Sequence, residues 1–149
     1  HGRAGSMVEF NGWVDGFPMA TQRADGVIVA TATGSTAYAM AAGGPILHPS
    51  LNAMVLVPVA PHTLTNRPIV LPGQSKIDIE LVAAREAAVY CDMQDFISMQ
   101  KDDVLTISSI AESFTILHPV NHNHYKTLQQ KLYWNCMPTP NPSADTSKD

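Results

Sequence analysis

The chain is 149 residues long, 45% apolar and 15% charged: one domain's worth of sequence, with enough apolar material for a sizeable core and the wrong composition for a disordered chain. A formal net charge of −4 with no basic run argues against nucleic acid as a partner, and no apolar stretch approaches the length of a membrane span. Cys91 and Cys136 make no disulfide framework and read as reduced thiols, so the expected location is cytoplasmic. The N-terminus lacks a signal-peptide pattern. His1 opens the chain without an initiator Met, which reads as a fragment or a processed portion of something longer.

In chain order, residues 1–23 read as a hairpin. Met7, Val8, Phe10, Trp13 and Val14 are strand formers, Asp15-Gly16 is a turn signal before Pro18, and Met19 to Arg23 returns as the second strand. Val27 to Ala30 is a short apolar run of buried-strand type, and Ala37 to Ala42 reads as a helix stopped by Gly43-Gly44-Pro45. After a loop from Ile46, Ala53 to Val57 reads as a buried strand ended by Pro58 and Pro61. Ile69 to Leu71 is a further strand. Lys76 to Leu81 alternates strictly, so Ile77, Ile79 and Leu81 face a core while Lys76, Asp78 and Glu80 face water. Ala87 to Cys91, Val104 to Ile110 and Phe114 to Leu117 complete the strands, and Tyr125 to Trp134 reads as a short helix with Leu128 and Leu132 on one face. Residues 137–149 are mostly small or polar and read as a disordered tail. The fold class expected is mainly β, of sandwich type, with one or two short helices.

The stretch from Asp25 to Pro49 carries the functional signal. Thr31-Ala32-Thr33-Gly34-Ser35-Thr36 puts four hydroxyls and a glycine between a strand and a helix start. Backbone N–H groups at a helix N-terminus bind anions, and hydroxyls add donors. The same residues also suit an ordinary N-cap and turn, and Asp25 alone suits a turn carboxylate. Elsewhere, His118, His122 and His124 lie close in sequence without a carboxylate or thiol at zinc-like spacing, so no protein-bound metal is expected. No G-x-S-x-G motif supports a hydrolase, and the apolar neighbours of Cys91 favour an inert thiol.

T-A-T-G-S-T-A-Y at 31–38, followed by A-G-G-P-I-L-H-P-S-L, resembles the signature of the NAD kinases, with Ala32 where that family usually has proline. Q-R-A-D-G at 22–26 and P-H-T-L-T-N-R-P at 61–68 match further family segments in the same order, and the resemblance runs from about Gly2 to Trp134. It implies a C-terminal, dinucleotide-binding domain over residues 1–136, with an N-terminal α/β domain absent from the chain. It further implies ligand contact at Ser6, Arg23, Asp25, Thr33, Thr36, Ala37, Tyr38, Ala39, Met40, Ala41, Ala60 and Gln94. Asp25 would accept hydrogen bonds as an ionised carboxylate, Arg23 suits phosphate or a ribose-rich site, and Tyr38 suits stacking on a base or burial with its hydroxyl paired. Gln94 follows Met93, where many relatives have glycine.

The family's G-G-D-G motif, whose aspartate acts as base on the ribose 2′-hydroxyl, does not occur between His1 and Asp149, and neither does its Asn-Glu or Asn-Asp pair. No catalytic residue is therefore expected in this chain. The resemblance implies an intact enzyme that transfers a phosphoryl group from ATP, with a divalent ion such as magnesium, to NAD, giving NADP. It also implies a homo-oligomer, which the low charged fraction fits. The chain alone is expected to hold NAD poorly and to lack activity. The alternative is a non-catalytic β-sandwich that binds a nucleotide or mediates assembly.

Overall fold

The computed structural model describes residues 7–83, 87–92, 94–110 and 115–134. Ser6, Cys136 and residues 137–149 lie outside that range, and so do the expectations placed on them. The chain divides into two compact units, His1–Ala111 and Glu112–Asp149.

In the first unit, β1 (Val8–Val14) and β2 (Phe17–Ala24) make the expected hairpin. Asp15 and Gly16 turn it with positive φ of 52° and 80°, a twist that suits right-handed strands. The turn is pinned to the strand β6 (Ile77–Ala83) at its start: the Asp15 N–H donates to the Lys76 carbonyl at 2.9 Å, and the Lys76 N–H donates to Asp15 Oδ1 at 2.8 Å. The return strand begins at Phe17 and includes Pro18, two residues earlier than expected. This is tolerated because β2 is an edge strand, where a missing N–H costs no ladder bond. With β9 (Val104–Ile107), these strands form an antiparallel four-stranded sheet in the order β2-β1-β6-β9.

A second, three-stranded antiparallel sheet is built from β3 (Gly26–Thr31), β4 (Ala53–Val59) and β5 (Ile69–Pro72), with β4 in the middle. Pro58 was expected to end β4 and does not. β5 pairs only with Ala53 to Leu56, so Pro58 lies where one side of β4 has no ladder partner, opposite Val27 of β3. A separate hairpin joins β7 (Ala87–Cys91) to β8 (Asp95–Met99). β8 went unread in the sequence because Asp95 and Ser98 interrupt its apolar pattern.

The two larger sheets pack face to face. One core cluster takes Val8, Phe10, Ile77, Ile79 and Leu81 from the four-stranded sheet, and Met54, Leu56 and Leu71 from the three-stranded one. Ile77, Ile79 and Leu81 are all buried, as their alternation predicts. Burying side chains of this size contributes about 1.5–3 kcal/mol each. The opposite face of the three-stranded sheet carries Val55 and Val57, the centre of a second cluster with Ala32, Ala39 and Leu47. The fold class is therefore mainly β, as expected.

Three further expectations need correction. The helix expected over Ala37 to Ala42 is a single turn, α1 (Tyr38–Ala41), preceded by a 3₁₀ turn at Gly34–Thr36. β9 stops at Ile107 rather than Ile110. Thr115 to Leu117 form no strand, and Ile116 and Leu117 are exposed. β-branched residues make a strand only where a half-buried sheet surface receives them. In the second unit, α2 (His124–Leu132) is capped by Asn123, whose side chain accepts from the Lys126 N–H at 3.1 Å. The His118 and His122 rings stack at 3.9 Å.

The outward face of β6 carries charge as expected, but that charge is hydrogen-bonded. Thr106 donates to Asp78 at 2.6 Å and Lys76 lies 3.0 Å from the same carboxylate. The Thr106 hydroxyl first, and then the Lys76 ammonium, hold the Asp78 carboxyl below its ordinary value of 3.8. A depressed folded value stabilises the native state above the ordinary carboxylate range, and this is lost as pH falls through the folded value. Asp78→Asn is expected to lower Tm slightly near neutrality and to leave it unchanged in acid below the folded carboxyl value, so that the pH dependence of Tm flattens. Thermal melts between about pH 2 and 7 check it.

Candidate functional site

The hydroxyl-rich turn is held together from within. Ser35 is completely buried. Its Oγ donates to the Ala32 carbonyl at 2.6 Å and accepts from the Leu47 N–H at 3.0 Å. One side chain thus joins the T-A-T-G-S-T-A-Y block to the G-G-P-I-L-H-P block. Thr31 Oγ1 accepts from the Gly34 N–H at 3.2 Å, and Thr36 Oγ1 donates to the Thr33 carbonyl at 3.3 Å. The backbone is committed too: Ser35, Ala37 and Met40 N–H groups donate to the Ala32, Gly34 and Ala37 carbonyls. Most of the donors that suggested an anion cradle are therefore used by the turn itself, and α1 is too short to present a developed helix dipole.

That turn reverses the chain. β3 carries it away from Asp25, the 3₁₀ turn redirects it, and α1 lies back over the β3–β4 face, where Ala39 is buried beside Val57. Gly44 makes the close approach possible. A Cβ there would sit 2.7 Å from the Ala39 carbonyl oxygen and 2.8 Å from a Val57 methyl. The Gly44 N–H also donates to that carbonyl at 2.8 Å.

The residues implicated by sequence fall into three groups. Arg23, Asp25 and Ala60 gather where β2 ends, β3 begins and β4 ends. The Asp25 N–H donates to the Val59 carbonyl at 2.9 Å, and Ala60 follows with a left-handed φ of 45°. Ala60 has only backbone to offer a ligand, and its backbone is held in a conformation that costs a non-glycine residue about 1 kcal/mol. Thr33 and Thr36 lie past the other end of β3, about 20 Å away along a strand of 6 residues. Tyr38 to Ala41 are brought back between these ends. Ala39 sits over Val57, two residues and about 7 Å along β4 from Val59. Tyr38 is 45% exposed, so its ring is not a core side chain, while Ala39 is buried and serves packing. Gln94 stands apart, on the β7–β8 turn, where its N–H donates to the Cys91 carbonyl at 3.0 Å.

Sequence reading missed three contributors. Ser35 was seen as one hydroxyl among several, and only its burial sets it apart. His62 ties the P-H-T-L-T-N-R-P loop to the site through its N–H, which donates to the Arg23 carbonyl at 2.9 Å; Asn66 adds a bond to Gln22 at 3.0 Å. Glu9, directly across the ladder from Arg23, holds the guanidinium through Nε and Nη2, each 2.8 Å from Oε2. A cross-strand spacing of Glu and Arg was the signal available for the last. A shallow groove on the first hairpin, lined by Trp13, Pro18 and Met19, contains none of the implicated residues. Among the described residues no three His, Cys, Asp or Glu side chains converge to hold a metal ion, and no helix is long and apolar enough to cross a membrane.

Residues 1–118 match the family model described as the ATP-NAD kinase C-terminal domain. The chain is 53% identical over 133 residues to a NAD kinase of Cupriavidus pinatubonensis, covering 89% of this chain and 44% of that protein. It is 52% identical over 129 residues to a NAD kinase of Burkholderia vietnamiensis, covering 87% and 43%. The chain thus spans less than half the length of these curated relatives. Among solved structures it is similar in fold to yeast NADH kinase complexed with NADH, with a TM-score of 0.75, 24% identity, and coverage of 93% of this chain and 43% of that one. It is also similar to a NAD kinase from Archaeoglobus fulgidus in complex with ATP, with a TM-score of 0.64, 33% identity, and coverage of 72% and 41%.

Ser35→Ala is expected to destabilise the first unit by about 1–3 kcal/mol, because it leaves the buried Leu47 N–H without its acceptor. Gly44→Ala is expected to cost about 1–3 kcal/mol by forcing α1 off the sheet. Denaturant melts of both variants check these values, with Thr36→Ala, an exposed-hydroxyl control, expected to stay within about 0.5 kcal/mol.

Proposed function

We propose that this chain, which belongs to the ATP-NAD kinase family through that family's C-terminal domain, binds NAD as part of a kinase that phosphorylates it with ATP to give NADP. The observation that carries the reading is the family match over residues 1–118. The geometry supports it: an exposed carboxylate, an arginine and a left-handed alanine lie at one end of β3, with α1 folded back toward them. Polar groups at the two ends of β3, with the largely apolar α1 between them, suit a long ligand that is polar at both ends.

In this reading Asp25 accepts hydrogen bonds from ligand hydroxyl or amide groups, and Tyr38 offers a ring face to a base. Arg23 donates from its guanidinium, and the backbone around Ala60 lies against the ligand. Thr33 and the segment Thr36 to Ala41 contact the remainder, with Ala39 acting through its backbone. Gln94 would be added from outside this cluster, and Ser6, which lies outside the described residues, is proposed as a further contact. In this reading a divalent ion would arrive with the nucleotide; among the described residues no cluster of His, Cys, Asp or Glu is placed to hold one. The proposed role of the chain is to bind and orient NAD. A ribose hydroxyl is a weak nucleophile near neutral pH and needs a placed base. That base belongs to the G-G-D-G aspartate of an N-terminal α/β domain, with the whole assembled as a cytoplasmic homo-oligomer.

Asp25→Asn in the complete gene product is expected to weaken NAD binding by about 1–3 kcal/mol with an unchanged Tm, the scale of lost charge-assisted hydrogen bonds. Calorimetric titration measures it, and unchanged affinity would remove Asp25 from the site.

The 149-residue chain by itself is expected to give no NADP above background with NAD, ATP and magnesium. Turnover should appear when the N-terminal domain is supplied. A coupled assay for NADP reads the outcome, with mass spectrometry excluding a longer contaminant. Robust activity from the chain alone would place the base within it.

A further inference from the structure

We infer that Glu9 is a positioning residue for Arg23: it fixes the guanidinium so that it meets the dinucleotide as a directed hydrogen-bond donor, at a hydroxyl or amide oxygen of the ligand rather than at phosphate. The inference rests on the proposed reading in which Arg23 and Asp25 touch NAD.

Glu9 and Arg23 are register partners on β1 and β2, so the strands themselves bring the two side chains together. Both Nε and Nη2 lie 2.8 Å from Glu9 Oε2. Two contacts to one oxygen fix the plane of the guanidinium, which a single contact would leave free to rotate. Glu9 is the better-buried partner, with a side chain 25% exposed against 63% for Arg23. It also sits where the β1–β6 register shifts, between Glu9 and Phe10. Irregularities of this kind re-aim a side chain relative to the regular ladder.

The backbone of Arg23 is held as firmly as its head group. Its carbonyl accepts the His62 N–H at 2.9 Å, and Asp25 follows two residues later with its own N–H on Val59. Glu9 cancels the charge of Arg23, so Glu9, Arg23 and Asp25 together are net negative. Such a cluster disfavours phosphate and favours hydroxyls or an amide. The guanidinium nitrogens not turned toward Glu9 remain able to donate to those groups.

The test is a double-mutant cycle on the complete gene product, with NAD as the varied substrate. Glu9→Gln is expected to raise KM for NAD about three- to ten-fold, exceeding any fall in kcat, because a neutral amide holds a guanidinium less firmly. Its Tm should scarcely move, since an exposed ion pair adds little stability. In an Arg23→Ala background, Glu9→Gln should add nothing to KM, because Glu9 acts only through Arg23. If Arg23→Ala raises KM while Glu9→Gln does not, or if the two effects add, the positioning role is overturned and the assignment of Arg23 survives. If Arg23→Ala leaves KM unchanged, the assignment of Arg23 falls and the inference falls with it.

Discussion

The hydroxyl of Ser35 is the constraint on which the rest of the site depends. It is fully buried, donating to the Ala32 carbonyl and accepting from the Leu47 N–H. A buried hydroxyl or amide without a partner is costly, so these two bonds specify each other. Together they fix how the chain leaves β3 and how it returns. Without that return, α1 would not lie on Val57, and Tyr38 to Ala41 would not be brought back between the two ends of β3. Gly44 completes the arrangement by leaving no Cβ between α1 and the strand. The hydroxyls in the motif thus do structural work before any of them meets a ligand.

The other end of β3 is organised by backbone bonds and one ion pair. The Asp25 N–H to Val59 and the His62 N–H to Arg23 bring the ends of β2, β3 and β4 together. Asn66 and Arg67 then brace the loop: Arg67 Nη1 donates to the Leu64 and Asn66 carbonyls at 2.7 Å each. The outward face of the adjoining sheet carries a second polar chain, in which Thr21 donates to Asn11 at 2.7 Å and Asn11 to Glu80 at 2.9 Å. A rigid scaffold with polar groups on short connections is a common way to present a binding surface.

Much of the fold was legible in the sequence, because alternation and turn chemistry are local signals. Ile77, Ile79 and Leu81 show this, and so do Asp15-Gly16 and the run from Ala87 to Cys91. The failures have local causes as well. Pro58 reads as a strand end until it is known that β5 stops short of it. Thr115 to Leu117 have strand-like residues but gained no place in a sheet. β8 needs its hairpin partner to be seen. In the site, the sequence left the hydroxyl-rich turn open between an anion cradle and an ordinary cap and turn. Donors that suggested an anion cradle are mostly spent on the turn, and Arg23, read as a cation for phosphate or ribose, is paired with Glu9. Neither fact follows from spacing alone, since both depend on strands far apart in sequence or on burial.

In the proposed reading, Ser35 folds the motif back so that α1 and the Asp25–Ala60 end form one binding surface for NAD. A crystal structure of the complete gene product with NAD bound tests this most directly. Ligand density is expected to run from Asp25 and Ala60 to Tyr38, with Ser35 still joined to Ala32 and Leu47. Density lodged instead against the outer face of the β1–β2 hairpin, or NAD bound with Asp25 and Tyr38 both out of contact, would contradict it.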